Sequence, residues 1–161
     1  MLRSGRKVLI RPIAPSDAQM LFDFHETLSD RTIYMRHFSA HPHLSDAELQ
    51  RFTNVDHIKR EAYVAVDENR IIGVGRWDAI DSTAAEVAFV ISDDYQHQGL
   101  GSVLFSLLAQ AAQDYGITEF VAEVLPQNRA MMRLFEVFGE SFERKFEDGV
   151  VTMSVKLTPT F

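Results

Sequence analysis

The sequence contains no cysteine, which excludes disulfides, thiolate metal sites and a cysteine nucleophile. It has only eight glycines and five prolines, too few for a low-complexity or collagen-like chain, so the one place where glycines cluster with polar residues carries weight. No apolar run approaches the roughly 20 residues of a membrane span. The opening Met1-Leu2-Arg3-Ser4-Gly5-Arg6-Lys7 has charge without the apolar stretch of a signal peptide. No membrane partner and a cytoplasmic location are therefore expected. Positive charge is in deficit: 16 Lys and Arg stand against 23 Asp and Glu, a net charge of −7. Nucleic acid, which needs a basic footprint, is not an expected partner. A cationic acceptor such as an amine suits the balance better. With 161 residues, 46% of them hydrophobic, the chain is expected to form one domain, 1–161, with a core of its own.

The chain is organised around Tyr95-Gln96-His97-Gln98-Gly99-Leu100-Gly101-Ser102. A strand-like run, Ala84 to Ile91, leads into it, and Leu100, Leu104, Leu107, Leu108, Ala111 and Tyr115 follow at helical spacing, closed by Gly116. Glycines let backbone N–H groups approach a ligand closely, and the first turn of a helix leaves its own N–H groups unpaired. Together they make a site for a phosphate or pyrophosphate. The loop has no Lys-Ser/Thr after its second glycine, so it is not a P-loop, and it has no G-x-G-x-x-G of a dinucleotide fold.

Around this loop the pattern reads as follows. Lys7 to Ile13 is a strand, halted by Pro12 and Pro15. Ser16 or Asp17 caps a helix with Ala18, Leu21, Phe22, His25 and Leu28 on its apolar face. A shorter helix begins at Ser29-Asp30 and holds Ile33, Tyr34 and Met35. Ser45 with Glu48 is a capping box opening a third helix to about residue 54. Glu61 to Val66, Arg70 to Trp77 and Ala84 to Ile91 form an antiparallel meander with a turn at Glu68-Asn69. After the glycine-loop helix come a strand from Thr118 to Leu125 and a helix capped by Asn128, with Met131, Leu134, Phe135 and Phe138 on one face. Phe142 to Glu147 and Val150 to Leu157 form a closing hairpin through a type I′ turn at Asp148-Gly149. The strands before and after the glycine-loop helix are expected to be parallel, because a strand-helix-strand crossover joins them.

Gln96, Gly99 and Gly101 fill the pattern Gln-x-x-Gly-x-Gly. It resembles the coenzyme A pyrophosphate loop of the GNAT family of N-acetyltransferases, and the order of elements resembles that family over nearly the whole chain. The resemblance implies an α/β (α+β) GNAT fold, a mixed, mostly antiparallel twisted sheet of about seven strands with helices on both faces. It implies acetyl-CoA as co-substrate and no metal. Gln96, His97, Gln98, Gly99, Leu100, Gly101 and Ser102 would form the coenzyme loop, with the pyrophosphate held by residues 98–102. The backbone of Phe89, Val90 and Ile91 would pair with the pantetheine arm, and a backbone N–H there would polarise the thioester carbonyl. Asn128, with Met131 and the aromatic Phe135 seven residues on, would make the second coenzyme contact, alongside the plain role of helix cap. Many members carry a tyrosine at the position of Phe135 that protonates the leaving thiolate. Phe135 has no proton to give.

Acetyl transfer to a lysine needs a base, since at pH 7 only about one lysine in 2,500 is the neutral nucleophile. Glu86 is the candidate catalytic residue. Ala84, Ala88 and Val90 share its face by parity, and small apolar neighbours would desolvate it and strengthen it as a base. A solvent-facing strand position is the alternative. Ala85-Glu86-Val87-Ala88-Phe89 is similar to the histone and bacterial protein-lysine acetyltransferases, in which this glutamate is the general base. The stretches around Phe24 to Ser29 and Arg31 to Phe38 resemble the catalytic domain of bacterial Pat-type protein lysine acetyltransferases, which implies substrate contacts from Tyr34, Arg36 and Phe38. A protein lysine is accordingly the leading acceptor. A small amine, or a non-catalytic acyl-CoA-binding role, remains as an alternative. His25 is expected as a packing residue, and His41 and His43 flank a proline without the further ligands a metal needs. Oligomeric state is left open.

Overall fold

Period-two patterning from residue 60 onwards and tight turns build the frame. The computed structural model describes residues 7–37, 43–147 and 149–157, with backbone alone for 138–144. Strands β1 (Leu9–Pro12), β2 (Arg60–Asp67), β3 (Arg70–Ala79) and β4 (Ala84–Ile91) pair antiparallel in sequence order. Glu68 and Asn69 both take left-handed φ angles, 51° and 63°, as a two-residue type I′ turn requires. Strand β5 (Glu119–Val124) runs parallel to β4, and β7 (Val150–Leu157) inserts between β5 and β6 (Gly139–Glu147), giving the order β1-β2-β3-β4-β5-β7-β6. Gly149 is left-handed as expected (φ 77°). Asp148, the other half of that turn, lies outside the described residues, as do Phe38 and His41.

The helices cover both faces. On one side lie α1 (Ala18–Glu26), α2 (Asp30–His37) and α3 (Asp46–Thr53), where Leu21, Phe24 and Leu44 pack on Ala62, Val64 and Val74. On the other lie α4 (Leu100–Asp114) and α5 (Arg129–Phe138). Here Phe105 stacks on Phe89 (ring centroids 5.8 Å apart) and meets Phe120 and Phe135 edge-on (5.6 and 5.8 Å). Such ring pairs are each worth about 0.5–1.5 kcal/mol beyond their burial. Gly75 lets α4 approach the sheet: a Cβ there would lie 2.7 Å from Leu108 Cδ1 and 2.8 Å from the Phe89 ring.

Two helical faces differ from the expected ones. In α1 the buried residues are Leu21, Phe24 and His25, whereas Phe22 is half-buried. In α4 they are Leu100, Leu104, Phe105, Leu108 and Ala112, while Leu107 and Ala111 are half-buried and Tyr115 is exposed. Each helix is rotated by about one residue, so that Phe24 or Phe105 meets the sheet, a choice that periodicity alone leaves open. The capping box of α3 is as expected: Glu48 N–H donates to Ser45 Oγ (3.1 Å), and Ser45 N–H to Glu48 Oε1 (3.0 Å).

Asp17 does not cap α1 with its side chain. It is 3% exposed and accepts from Arg11 Nη2 (2.7 Å), Arg11 Nη1 (2.8 Å) and Ala14 N–H (2.8 Å). The Arg11 hydrogen bonds, more than any other cause, hold its carboxyl below the usual carboxylate range. The folded protein therefore binds this proton more weakly than the unfolded chain. Its stabilisation is complete above the unfolded value of about 3.9 and fades as pH falls through the lowered folded value. Urea midpoints of wild type and Asp17→Asn should differ at pH 7 and converge in acid.

Candidate active site

Pairing between β4 and β5 covers only Ala84–Glu119, Ala85–Phe120 and Glu86–Val121, although both strands continue. Beyond Glu86 they diverge. Which backbone groups face the opening follows from the β3 side. Ser92 N–H donates to the Ile72 carbonyl (2.8 Å) and Ile80 N–H to the Ala84 carbonyl (2.8 Å). Even-numbered β4 residues thus turn their backbone groups to β3, and alternation turns those of Phe89 and Ile91 to the opening. This corrects the expectation for Val90, whose backbone is committed to Val74. The Ile91 carbonyl already accepts from Gln96 Nε2 (3.1 Å), so its N–H is the group left without a partner on this side.

At the end of β4 the chain turns into α4 through two left-handed residues, His97 (φ 64°) and Gly99 (φ 89°). Gly99 is the N-cap of α4, and no side chain caps the helix. The first-turn amides of Leu100, Gly101 and Ser102 therefore lack intrahelical partners and converge on the positive end of a 15-residue helix. Leu100 is buried and offers only its backbone. His97 is exposed, and Gln98 Nε2 donates to the Asp94 carbonyl (3.2 Å), bracing the loop. An anion-binding turn thus lies at the end of a strand with unpaired backbone groups.

Asn128 Oδ1 accepts from Met131 N–H (3.3 Å), the expected cap of α5. Met131 is buried, and Phe135 is 0% exposed against Phe105. Phe135 fills the core, which corrects the expectation that it lines the coenzyme site: a side chain without accessible surface touches no ligand.

Glu86 points by parity to the face of α1–α3, together with Ala88 and Val90. It is exposed. The expected desolvation is thus corrected: the side chain stays open to water. On α2, Tyr34 is exposed and Arg36 half-buried, and Arg36 lies close enough to Glu86 to be stabilised by its charge. Phe38 is outside the described residues. His25 is buried and packs edge-on to His37 (5.5 Å). Among the described residues no cluster of His, Cys, Asp or Glu could hold a metal ion.

Three residues without a role in the sequence analysis tie α2 to the glycine loop or floor the Glu86 face. Asp93 accepts from Ser29 N–H (3.1 Å) and Thr32 Oγ1 (2.7 Å), and Gln96 Nε2 reaches Thr32 Oγ1 (3.4 Å). Arg76 lies buried on β3, its guanidinium 4.4 Å above the Phe52 ring. Its one readable signal is a charge inside the apolar run Ile71-Ile72-Gly73-Val74-Gly75-Arg76-Trp77.

Residues 7–140 match the acetyltransferase (GNAT) domain. The chain belongs to the GNAT acetyltransferase family. Its acyl donor is acetyl-CoA, and the site fits that molecule: the open backbone groups of Phe89 and Ile91 match the amides of its pantetheine arm, and the uncapped α4 terminus matches its pyrophosphate. The GNAT domain of S. lividans PAT superposes with a TM-score of 0.90 at 37% identity, covering 97% of this chain and 94% of that one. The acetyltransferase Pat of Mycolicibacterium smegmatis is 30% identical over 98% of this chain but 48% of its own length. This chain therefore spans about half of that relative. An acetyltransferase of Pseudomonas aeruginosa is 32% identical over 91% of this chain and 82% of its own.

Proposed function

We propose that this GNAT acetyltransferase acetylates lysine side chains of proteins in the cytoplasm, with Glu86 as general base. The observation that carries the reading is the exposure of Glu86 on an open face, beside the end of the β4–β5 pairing. A lysine side chain presented on a bulky protein can reach a carboxylate so placed. The likeness to the GNAT domain of S. lividans PAT over nearly the whole length of both chains supports the acetyltransferase activity on which this reading rests.

In this reading Glu86, directly or through a water, takes a proton from the lysine ammonium. The freed amine attacks the thioester carbon, the C–S bond breaks, and the nitrogen's surplus proton passes to the departing thiolate or to solvent, leaving the neutral amide. With a thiol pKa of about 8.5 the thiolate needs little help from an acid, consistent with Phe135 having no proton to donate. An N–H of Phe89 or Ile91 donates to the carbonyl oxygen as negative charge grows there. Amides of residues 98–102 hold the pyrophosphate.

The test is transfer of labelled acetyl from acetyl-CoA into a cell lysate, with the product divided into protein and small-molecule fractions. Label in protein, lost with Glu86→Gln, is the expected result. Label confined to small amines overturns the acceptor class, and binding of acetyl-CoA without any transfer overturns catalysis.

A further inference from the structure

Arg76 stands on β3 opposite Ala88, while Glu86 stands opposite Asp78. Arg76 and Glu86 are thus diagonal neighbours on one face, which places their Cβ atoms about 7–8 Å apart or somewhat less. Arg76 is 8% exposed. Its guanidinium has five N–H donors, yet only Nη1 finds an acceptor among the described residues, the Phe52 carbonyl at 3.3 Å. The ring of Phe52 lies beneath it, and Arg51 sits over the same ring at 4.9 Å. Arg36 approaches from α2, close enough for the two guanidinium charges to disfavour one another.

Neither arginine forms an ion pair among the described residues. Arg36 feels the charge of Glu86 first and Asp78 second; Asp78 is the acid felt by both arginines, but its carboxylate is held by Arg60 Nε at 2.8 Å. Burial, more than any other cause, pushes Arg76 down to about 9, which still leaves it charged at neutral pH. Two like charges drawn partly out of water, with no carboxylate in ion-pair contact with either, are costly to a fold, and such arrangements cluster at functional sites. In a chain of net charge −7, this local excess of cation beside a proposed base is the opposite of what an amine acceptor alone would favour. An anionic group arriving with the amine would resolve it.

We infer that Arg76 and Arg36 receive a carboxylate of the acceptor, one borne close to the amine that Glu86 serves. The planar guanidinium fork matches a carboxylate, and a singly charged group is tolerated beside Glu86 where a phosphate dianion is repelled. On a protein acceptor the carboxylate is an acidic side chain near the target lysine; on a free amino acid it is the molecule's own. The inference rests on the proposed role of Glu86 in amine acetylation.

The test uses lysine peptides in which Glu or Gln occupies each position from three before to three after the lysine, together with free lysine and lysinamide. Thiol release is followed with wild type, Arg76→Gln and Arg36→Gln. Wild type should favour the carboxylate member of a pair by roughly 10- to 100-fold in kcat/KM, carried by KM. Arg76→Gln should bring the ratio close to one with acetyl-CoA affinity unchanged by calorimetry. If Arg76→Gln does not fold, Arg36→Gln and the wild-type ratios decide. A preference seen only with lysine over lysinamide removes the protein acceptor but upholds the carboxylate site. Equal use of both members of every pair, no turnover with any, a preference surviving both substitutions, or a phosphoserine peptide surpassing its Glu counterpart overturns it.

Discussion

Glu86→Gln is expected to lower kcat by about 10²- to 10⁴-fold at saturating acceptor and acetyl-CoA, the usual contribution of a positioned general base. The substitution keeps the shape of the side chain and removes its capacity to take the proton. Its effect on stability should be small, because no hydrogen bond or ion pair holds Glu86 among the described residues and the side chain is exposed; what is lost is the charge that favours Arg36. Acetyl-CoA affinity should remain, since the amides of residues 98–102 and the backbone of Phe89 and Ile91 are untouched. Steady-state thiol release and calorimetry with the same preparation check both halves. An unchanged kcat would remove Glu86 from the reaction and leave proton transfer to solvent.

The second large effect is expected at Gly99. Its φ of 89° is costly for a residue with a Cβ, about 1–2 kcal/mol. Gly99→Ala either bears that strain or relaxes and turns the first amides of α4 away from the pyrophosphate. Loss of one charge-assisted hydrogen bond is worth about 1.5–3 kcal/mol, so KM for acetyl-CoA should rise roughly 10- to 100-fold with kcat little changed. Gly149→Ala provides the control. Gly149 has φ 77° and nothing within 4 Å of an added Cβ, so it should lose stability by the same backbone mechanism and keep KM. Equal KM values in both variants would dissociate the α4 terminus from coenzyme binding.

Features fixed by neighbouring residues were legible from the sequence. The capping box of Ser45 and Glu48, the turn at Glu68-Asn69, the glycine loop before α4 and the parallel crossover into β5 each depend on chemistry within a short stretch. What was not legible depends on distant partners. The Ser29–Asp93 and Thr32–Asp93 bonds span 64 and 61 residues, and nothing local marks Thr32 as a brace for the coenzyme loop. The side chain of Glu86 followed from strand parity, but whether a helix roofs that face did not. Phe105 and Phe135 show the same limit. Helical spacing allows either to face a ligand or the core, and only the sheet beneath decides for the core. Arg76 was readable as an odd charge in an apolar strand, but its proximity to Glu86 required the register of β3 with β4.

An ordinary seven-stranded sheet has two edges. Here β5 is paired to β7 along its whole length and to β4 only as far as Glu86–Val121, so beyond that point two further edges face each other across the interior. In that region the protein is a four-stranded and a three-stranded sheet sharing one short seam. A pantetheine arm bound in the proposed site, carrying amides of its own, would act there as a substitute strand and stitch the halves together. Coenzyme binding should therefore raise the cooperativity of unfolding as well as its midpoint. Hydrogen exchange should slow at Phe89 and Ile91 and across the seam, far beyond the atoms the coenzyme touches.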